Sequence, residues 1–168
     1  MFNDVWVLSD SDGSGLASTW TQLLPPGAAP AGRIRHSAVY EPNTNSMTIF
    51  GGDLAFGYCY AQSNDVWVLA NANGAGGTPT WTQLAPAGAL PTVREGHTAV
   101  YDGANNRMIV FGGEMLGCPF DPNAEIWVLA HPNGAGGTPT WTQLTPAVGP
   151  APTPAPTIRP FTMERTTA

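Results

Sequence analysis

Apolar runs of four to seven residues, rich in Val, Ile, Phe, Trp and Thr, alternate along the chain with clusters of Gly, Pro and Asn. Runs this short, closed off by turn formers, predict β-strands rather than helices. Four such runs fall within each stretch of about sixty residues. We label them strand A (His97 to Tyr101), B (Arg107 to Phe111), C (Glu125 to Leu129) and D (Thr138 to Leu144), with a matching set at 36–40, 46–50, 64–69 and 78–84. The link from A to B, Asp102-Gly103-Ala104-Asn105-Asn106, has the Gly and Asn residues of a tight hairpin turn that takes positive φ. Strands B and C show little alternation: Met108-Ile109-Val110-Phe111 and Ile126-Trp127-Val128-Leu129 are apolar on both sides. A strand reads this way when both faces of its sheet are covered.

The pattern is a true repeat. Asn3-Asp4-Val5-Trp6-Val7-Leu8 returns as Asn64-Asp65-Val66-Trp67-Val68-Leu69 and again as Ala124-Glu125-Ile126-Trp127-Val128-Leu129; Asp4 to Asp65 is 61 residues and Asp65 to Glu125 is 60. Thr-Trp-Thr-Gln-Leu at 19–23, 80–84 and 140–144 keeps these offsets. Arg33-x-x-His36 followed by Ser-Ala-Val-Tyr40 recurs as Arg94-x-x-His97 followed by Thr-Ala-Val-Tyr101, and Phe50-Gly51-Gly52 recurs as Phe111-Gly112-Gly113. Four-stranded units whose middle strands are covered on both faces predict an all-β fold of β-propeller blades, each of four antiparallel strands.

These residues resemble the kelch repeats, a family also represented by the central propeller domain of galactose oxidase. The resemblance rests on Arg-x-x-His, the apolar strand ending in Gly-Gly, the Asn-Asp-Val-Trp strand and the following Trp20, Trp81 and Trp141, and it covers residues 2 to about 146. One departure is the C–D loop, which Asn71-Ala72-Asn73-Gly74-Ala75-Gly76-Gly77 lengthens beyond the compact kelch spacing. In this register residues 1–24 supply a partial blade (strands C and D), 33–84 and 94–144 are complete blades, and 145–168 form a Pro/Thr-rich tail or the degenerate start of a further blade. A closed propeller needs roughly four to eight blades. The chain is therefore expected to be a fragment of a larger protein, with an assembling protomer as the alternative, and its open blade edges leave it open to self-association.

Composition narrows the function classes. Charged residues make up only 11% of the chain, against 42% hydrophobic, and the net charge is −6 with no lysine among the six basic residues. No basic stripe is available for a phosphate backbone, which argues against nucleic acid. No apolar run approaches the roughly 18 to 20 residues of a membrane span. High Gly, Thr and Ala without Lys favours a secreted or cell-surface protein.

Connectivity puts the D–A and B–C loops at one end of the blades. That end carries Arg33, Arg35, Arg94 and Glu95 from the D–A loops, and Asp53, Phe56, Tyr58, Tyr60, Glu114, Phe120 and Asp121 from the B–C loops. The B–C loops are also where the repeats differ most, as expected of a rigid scaffold presenting a binding site. Arg33 and Arg94 read either as forks gripping a carboxylate or sugar hydroxyls, or, since both repeats have them, as ties to carbonyls or an acid within their own blades. His36 and His97 read as structural hydrogen-bond partners, and the six tryptophans as core between blades. Phe56, Tyr58 and Tyr60 could stack on a sugar ring or simply fold their loop. Asp10-Ser11-Asp12-Gly13 begins like a calcium loop but lacks the remaining ligands, so it reads as a turn.

No nucleophile elbow, phosphate loop, metal quartet or Ser-His-Asp set appears, so neither a metal nor another cofactor is implied. The expected role is a non-catalytic kelch-type module that binds a protein or carbohydrate ligand through loops on one propeller face. The alternative is part of a carbohydrate-active propeller enzyme whose catalytic residues lie outside this chain. Cys59 and Cys118 fall in corresponding B–C loops of adjacent blades, which allows a disulfide between them or two free thiols.

Overall fold

The computed structural model describes residues 1–10, 17–55, 61–115 and 121–147, without the side chains of 121 and 122. The first strands, β1 (Val5–Ser9) and β2 (Thr19–Leu23), form a two-stranded antiparallel hairpin. A four-stranded antiparallel sheet follows, in the order β3 (Ser37–Glu41), β4 (Ser46–Asp53), β5 (Gln62–Ala70) and β6 (Thr80–Leu84). The short β7 (Arg94–Glu95) precedes β8 (Thr98–Asp102) and β9 (Arg107–Phe111). Then come β10 (Glu114–Met115), β11 (Asp121–Pro122), β12 (Ile126–Ala130) and β13 (Thr140–Leu144). The second four-stranded sheet has the order β8-β9-β12-β13, and β7, β10 and β11 make a small separate sheet. The architecture is all-β, without a helix among the described residues, and matches incomplete propeller blades of the expected four antiparallel strands.

Two local features differ from the expected strands. In the A–B turns the left-handed residue is asparagine, Asn45 (φ 49) and Asn106 (φ 48), and Gly103 keeps a negative or extended φ. Asparagine tolerates this conformation because its amide can bond locally, and the Asn45 side chain donates to Ala75 O at 2.8 Å, tying the turn to the long C–D loop. The second difference is that the D–A and B–C loops are themselves paired, through β7 and β10 in the second blade and through an Ile34–Asp53 bridge in the first.

Each blade has a leading face, turned toward the blade before it in sequence, and a trailing face turned toward the next. Phe50, Val66 and partly buried Leu84 on the trailing face of the β3–β6 sheet pack against Met108, Val110, Trp127, Leu129 and Trp141 on the leading face of the β8–β13 sheet. The Phe50 ring lies 4.9 Å from that of Trp141, and Trp141 meets Trp127 edge to face at 6.4 Å. The same arrangement recurs one step earlier, where Val5 of the hairpin packs on Ile49, Leu69 and Trp81. The tryptophans thus form core only where a preceding blade exists. Trp81, Trp127 and Trp141 are buried and Trp67 half-buried, whereas Trp6 and Trp20 are 48% and 63% exposed, which corrects the expectation that all six are core.

The repeated Gly-Gly ends strand B for a steric reason. Gly113 has φ +98, and a Cβ there would sit 2.8 Å from the Glu95 carbonyl oxygen and 2.9 Å from His97 Cβ; Gly52 (φ +97) meets Ile34 O and His36 Cβ equally closely. Gly113→Ala should cost about 2 kcal/mol or more, from the left-handed backbone and the clash together. A thermal melt checks this, and an unchanged midpoint would contradict it.

Candidate functional site

The D–A and B–C loops meet at one end of the blade stack, and the most regular constellation there is an arginine, an acid and a tryptophan. Arg33 donates to the Gly51 carbonyl at 3.0 Å, to the Ala31 carbonyl at 3.2 Å and to both carboxylate oxygens of Asp65. Asp65 in turn accepts from Trp67 Nε1 at 2.7 Å. In the next blade Arg94 donates to Gly112 O at 3.0 Å, Thr92 O at 3.0 Å and Glu125 Oε2 at 2.7 Å, and Glu125 accepts from Trp127 Nε1 at 2.9 Å. The hairpin retains the acid and the tryptophan, Asp4 and Trp6, 2.6 Å apart.

Each guanidinium closes the loop end of its blade by joining the D–A loop, the Gly-Gly turn and the first residues of strand C. Burial alone would raise the Asp65 pKa, but hydrogen bonds from Arg33, Ser63 and Trp67 hold it below the usual value. Glu125 is likewise held low against its burial by Trp127 and Arg94. Arg33 and Arg94, with side chains 4% and 0% exposed, are thus geometrically committed within their blades rather than turned outward.

Arg35 differs. It occupies the position of Gly96 one repeat later, and both take positive φ (56 and 64). The two are linked directly, Gly96 N–H donating to Arg35 O at 2.8 Å. The Arg35 guanidinium, 33% exposed, bridges Glu95 at 3.2 Å and Glu114 at 3.3 Å. It therefore joins the first blade to the β7–β10 pair of the second. Asp53, Glu95 and Glu114 are all buried, and burial raises the Glu95 pKa, with Asp53 and Glu114 adding to the effect and Arg35 opposing it. Arg35 thus pairs with two carboxylates here, while Asp53 acts on Glu95 through its charge.

Beside it, His97 seals the seam between the sheets. Its Nε2 is 2.8 Å from Ser37 Oγ of the preceding blade, and its ring meets Phe50 edge to face at 5.0 Å. Burial, then the Arg94 charge, lowers its pKa to about 4, so it is neutral at pH 7. His36, the equivalent residue, is exposed; among the described residues the blade before it contributes only the β1–β2 hairpin.

The structure thus brings together Arg35, Asp53, Glu95 and Glu114, and places Arg33 and Arg94 just beneath them in the blades. Phe56, Tyr58, Tyr60, Phe120, Cys59 and Cys118 lie outside the described residues, and so does the proposed Cys59–Cys118 pairing. Asp121 is placed by its backbone in β11, beside β10. Sequence reasoning passed over Asp65 and Glu125. The signal was present: in each repeat an acid stands two residues before the strand C tryptophan, 32 or 31 residues after the arginine. Among the described residues no group of three or more His, Cys, Asp or Glu is arranged to hold a metal ion. No helix there is long and apolar enough to cross a membrane, which leaves a β-barrel unaddressed.

Comparison with known proteins agrees with this geometry. Residues 1–160 match the family described as the KLHDC2/KLHL20/DRC7 Kelch-repeats domain. Multiple epidermal growth factor-like domains protein 8 of Rattus norvegicus is 35% identical over 99 residues, which is 58% of this chain and 3% of that protein. Its Mus musculus counterpart is 36% identical over 96 residues, 56% of this chain and 3% of that protein. Dynein regulatory complex subunit 7 of Chlamydomonas reinhardtii is 29% identical over 100 residues, covering 58% of this chain and 8% of the relative. The matched segment is thus a small part of each relative's length. With a family match across nearly the whole chain and the arginine and Gly-Gly positions serving the same structural ends in successive blades, the chain belongs to the Kelch-repeat family.

Proposed function

We propose that the chain is a non-catalytic protein-interaction module of a larger propeller, whose D–A and B–C loop end receives a basic segment of a partner protein. The observation that carries this reading is the junction where Arg35 bridges Glu95 and Glu114 and Asp53 adds its negative charge beside Glu95. Those carboxylates are too buried to be contact groups. They act through their field, which is focused at the loop end and sums with the chain's overall charge of −6 to attract cations. Family membership supports an interaction role, and one matched relative is by name a subunit of a dynein regulatory complex.

The test is binding of an Arg-rich peptide, with an acidic peptide as control, measured by fluorescence anisotropy. Binding of the basic peptide should weaken with salt, and Glu95→Gln with Glu114→Gln together should weaken it roughly tenfold. Equal affinity for both peptides, or affinity indifferent to the two substitutions, would contradict the reading. Reproducible turnover of a sugar would reject its non-catalytic part.

A further inference from the structure

The outermost strands of the two complete blades, β6 and β13, have one sequence, Thr-Trp-Thr-Gln-Leu. Such a strand turns a row of backbone N–H and C=O groups away from its neighbour. In the second blade part of that row is covered. The segment that follows β6 runs parallel to β13, with Ala87 N–H donating to Pro139 O at 2.8 Å and Trp141 N–H donating to Ala87 O at 2.9 Å. Gly88 comes so close that a Cβ there would sit 2.5 Å from Trp141 O.

The first blade has the same outer strand without the cover. Leu23 and Leu84 are 61 residues apart, as are Arg33 and Arg94, so the intervening segments align without a gap and Pro26 stands where Ala87 does. Gly27 and Gly88 share a backbone conformation, with φ of 84 and 88. Yet a Cβ on Gly27 would meet nothing within 4 Å, and among the described residues no backbone hydrogen bond joins 24–31 to β6. Proline has no N–H, so the bond that Ala87 makes to Pro139 O has no counterpart from Pro26 to Pro79 O. The difference shows in burial: Thr140 is half-buried, whereas Thr80 is exposed.

Natural edges are commonly blunted by charged side chains or by proline within the strand. Strand β6 has neither, and its Thr80, Thr82 and Gln83 are exposed and uncharged. The identical edge of the second blade shows what fits: a parallel extended stretch that offers one main-chain N–H and one C=O, with a glycine next to it for close approach. Recognition of this kind rests on main-chain hydrogen bonds, with side chains adding selectivity.

We propose that the β6 edge, left open by Pro26, takes an extended segment of a partner protein by strand addition, with a non-proline residue and a glycine set opposite Trp81 as Ala87 and Gly88 are set opposite Trp141. Strand β6 is the fourth of its sheet, whereas Arg35 leads into the first, so this surface is separate from the acidic loop end.

Amide hydrogen exchange of the whole chain tests this, read with and without an excess of a synthetic peptide of residues 84–90, Leu-Ala-Pro-Ala-Gly-Ala-Leu. In the free protein the Trp81 amide should exchange about tenfold faster than the Trp141 amide, the difference one net hydrogen bond makes. The peptide should slow Trp81 by about the same factor, and the same peptide with Ala87→Pro should not. Pro26→Ala in the protein should let the chain's own segment settle on β6 and slow Trp81 without peptide. Trp81 exchanging as slowly as Trp141 in the free protein, or unmoved by millimolar peptide, would overturn the proposal, as would a Pro26→Ala chain in which Trp81 still exchanges freely. Protection of Trp81 that grows with protein concentration alone would also overturn it, because the occupant would then be a second copy of the chain.

Discussion

Replacing Arg94 with alanine should lower the folding free energy by about 3 kcal/mol, toward the low end for breaking a buried ion pair because Glu125 keeps some solvent contact. The cause is the number of groups left behind. The guanidinium is fully buried and satisfies Thr92 O, Gly112 O and Glu125 together, so its loss strands two carbonyls and a carboxylate that also orders Trp127. Lysine would restore the charge without the planar fork and should recover only part of the loss. Urea denaturation at constant m-value measures the effect. A loss below about 1 kcal/mol would be that of an ordinary surface position and would mean that the arginine does not close the blade end.

Acidification should destabilise the protein through His97. The neutral ring is buried against Phe50 and Ser37, and its folded pKa of about 4 lies below the ordinary histidine value of about 6.5. Above pH 6.5 the ring is neutral in both states, so its contribution there does not change with pH. As the pH falls below 6.5 the unfolded chain binds a proton that the folded chain refuses, and stability declines until the folded ring also titrates near 4. The gap corresponds to roughly 3 kcal/mol by pH 4. Other groups titrate in the same range. Burial raises Glu95, which offsets part of the loss, whereas Asp65 and Glu125 are held low and add to it as their folded forms protonate. Comparison with His97→Asn isolates the histidine: the variant starts less stable at pH 7 and should lose about 3 kcal/mol less between pH 7 and 4. Parallel pH profiles for the two proteins would show that the histidine does not titrate as a buried neutral ring.

Much of the fold was legible in the sequence because blade structure is written in a repeat. Strands B and C announced burial on both faces; β4 meets this, with Ile49 and Phe50 both buried, whereas in β9 and β12 one face is buried and the other only partly covered. The exposure of Trp6 and Trp20 was not legible, because burial of a repeat position depends on whether a neighbouring blade is present and the residue type does not record that. At the loop end, repetition left Arg33 and Arg94 open between an outward fork and a tie within the blade and did not name Asp65 and Glu125, which lie a full hairpin away in the chain. The pairing of Arg35 with Glu95 and Glu114 was hidden for a related reason: it crosses from one blade to the next, a contact set by how the sheets stack rather than by spacing within a repeat.

The most direct test of the proposed binding end is to map, by backbone amide chemical shifts, where an Arg-rich peptide touches the protein. Shifts should concentrate on Arg35, Asp53, Glu95, Gly96 and Glu114, leave the A–B turns around Asn45 and Asn106 unmoved, and fade as salt is added. Shifts centred on those turns, or a titration that moves nothing at the junction, would contradict it.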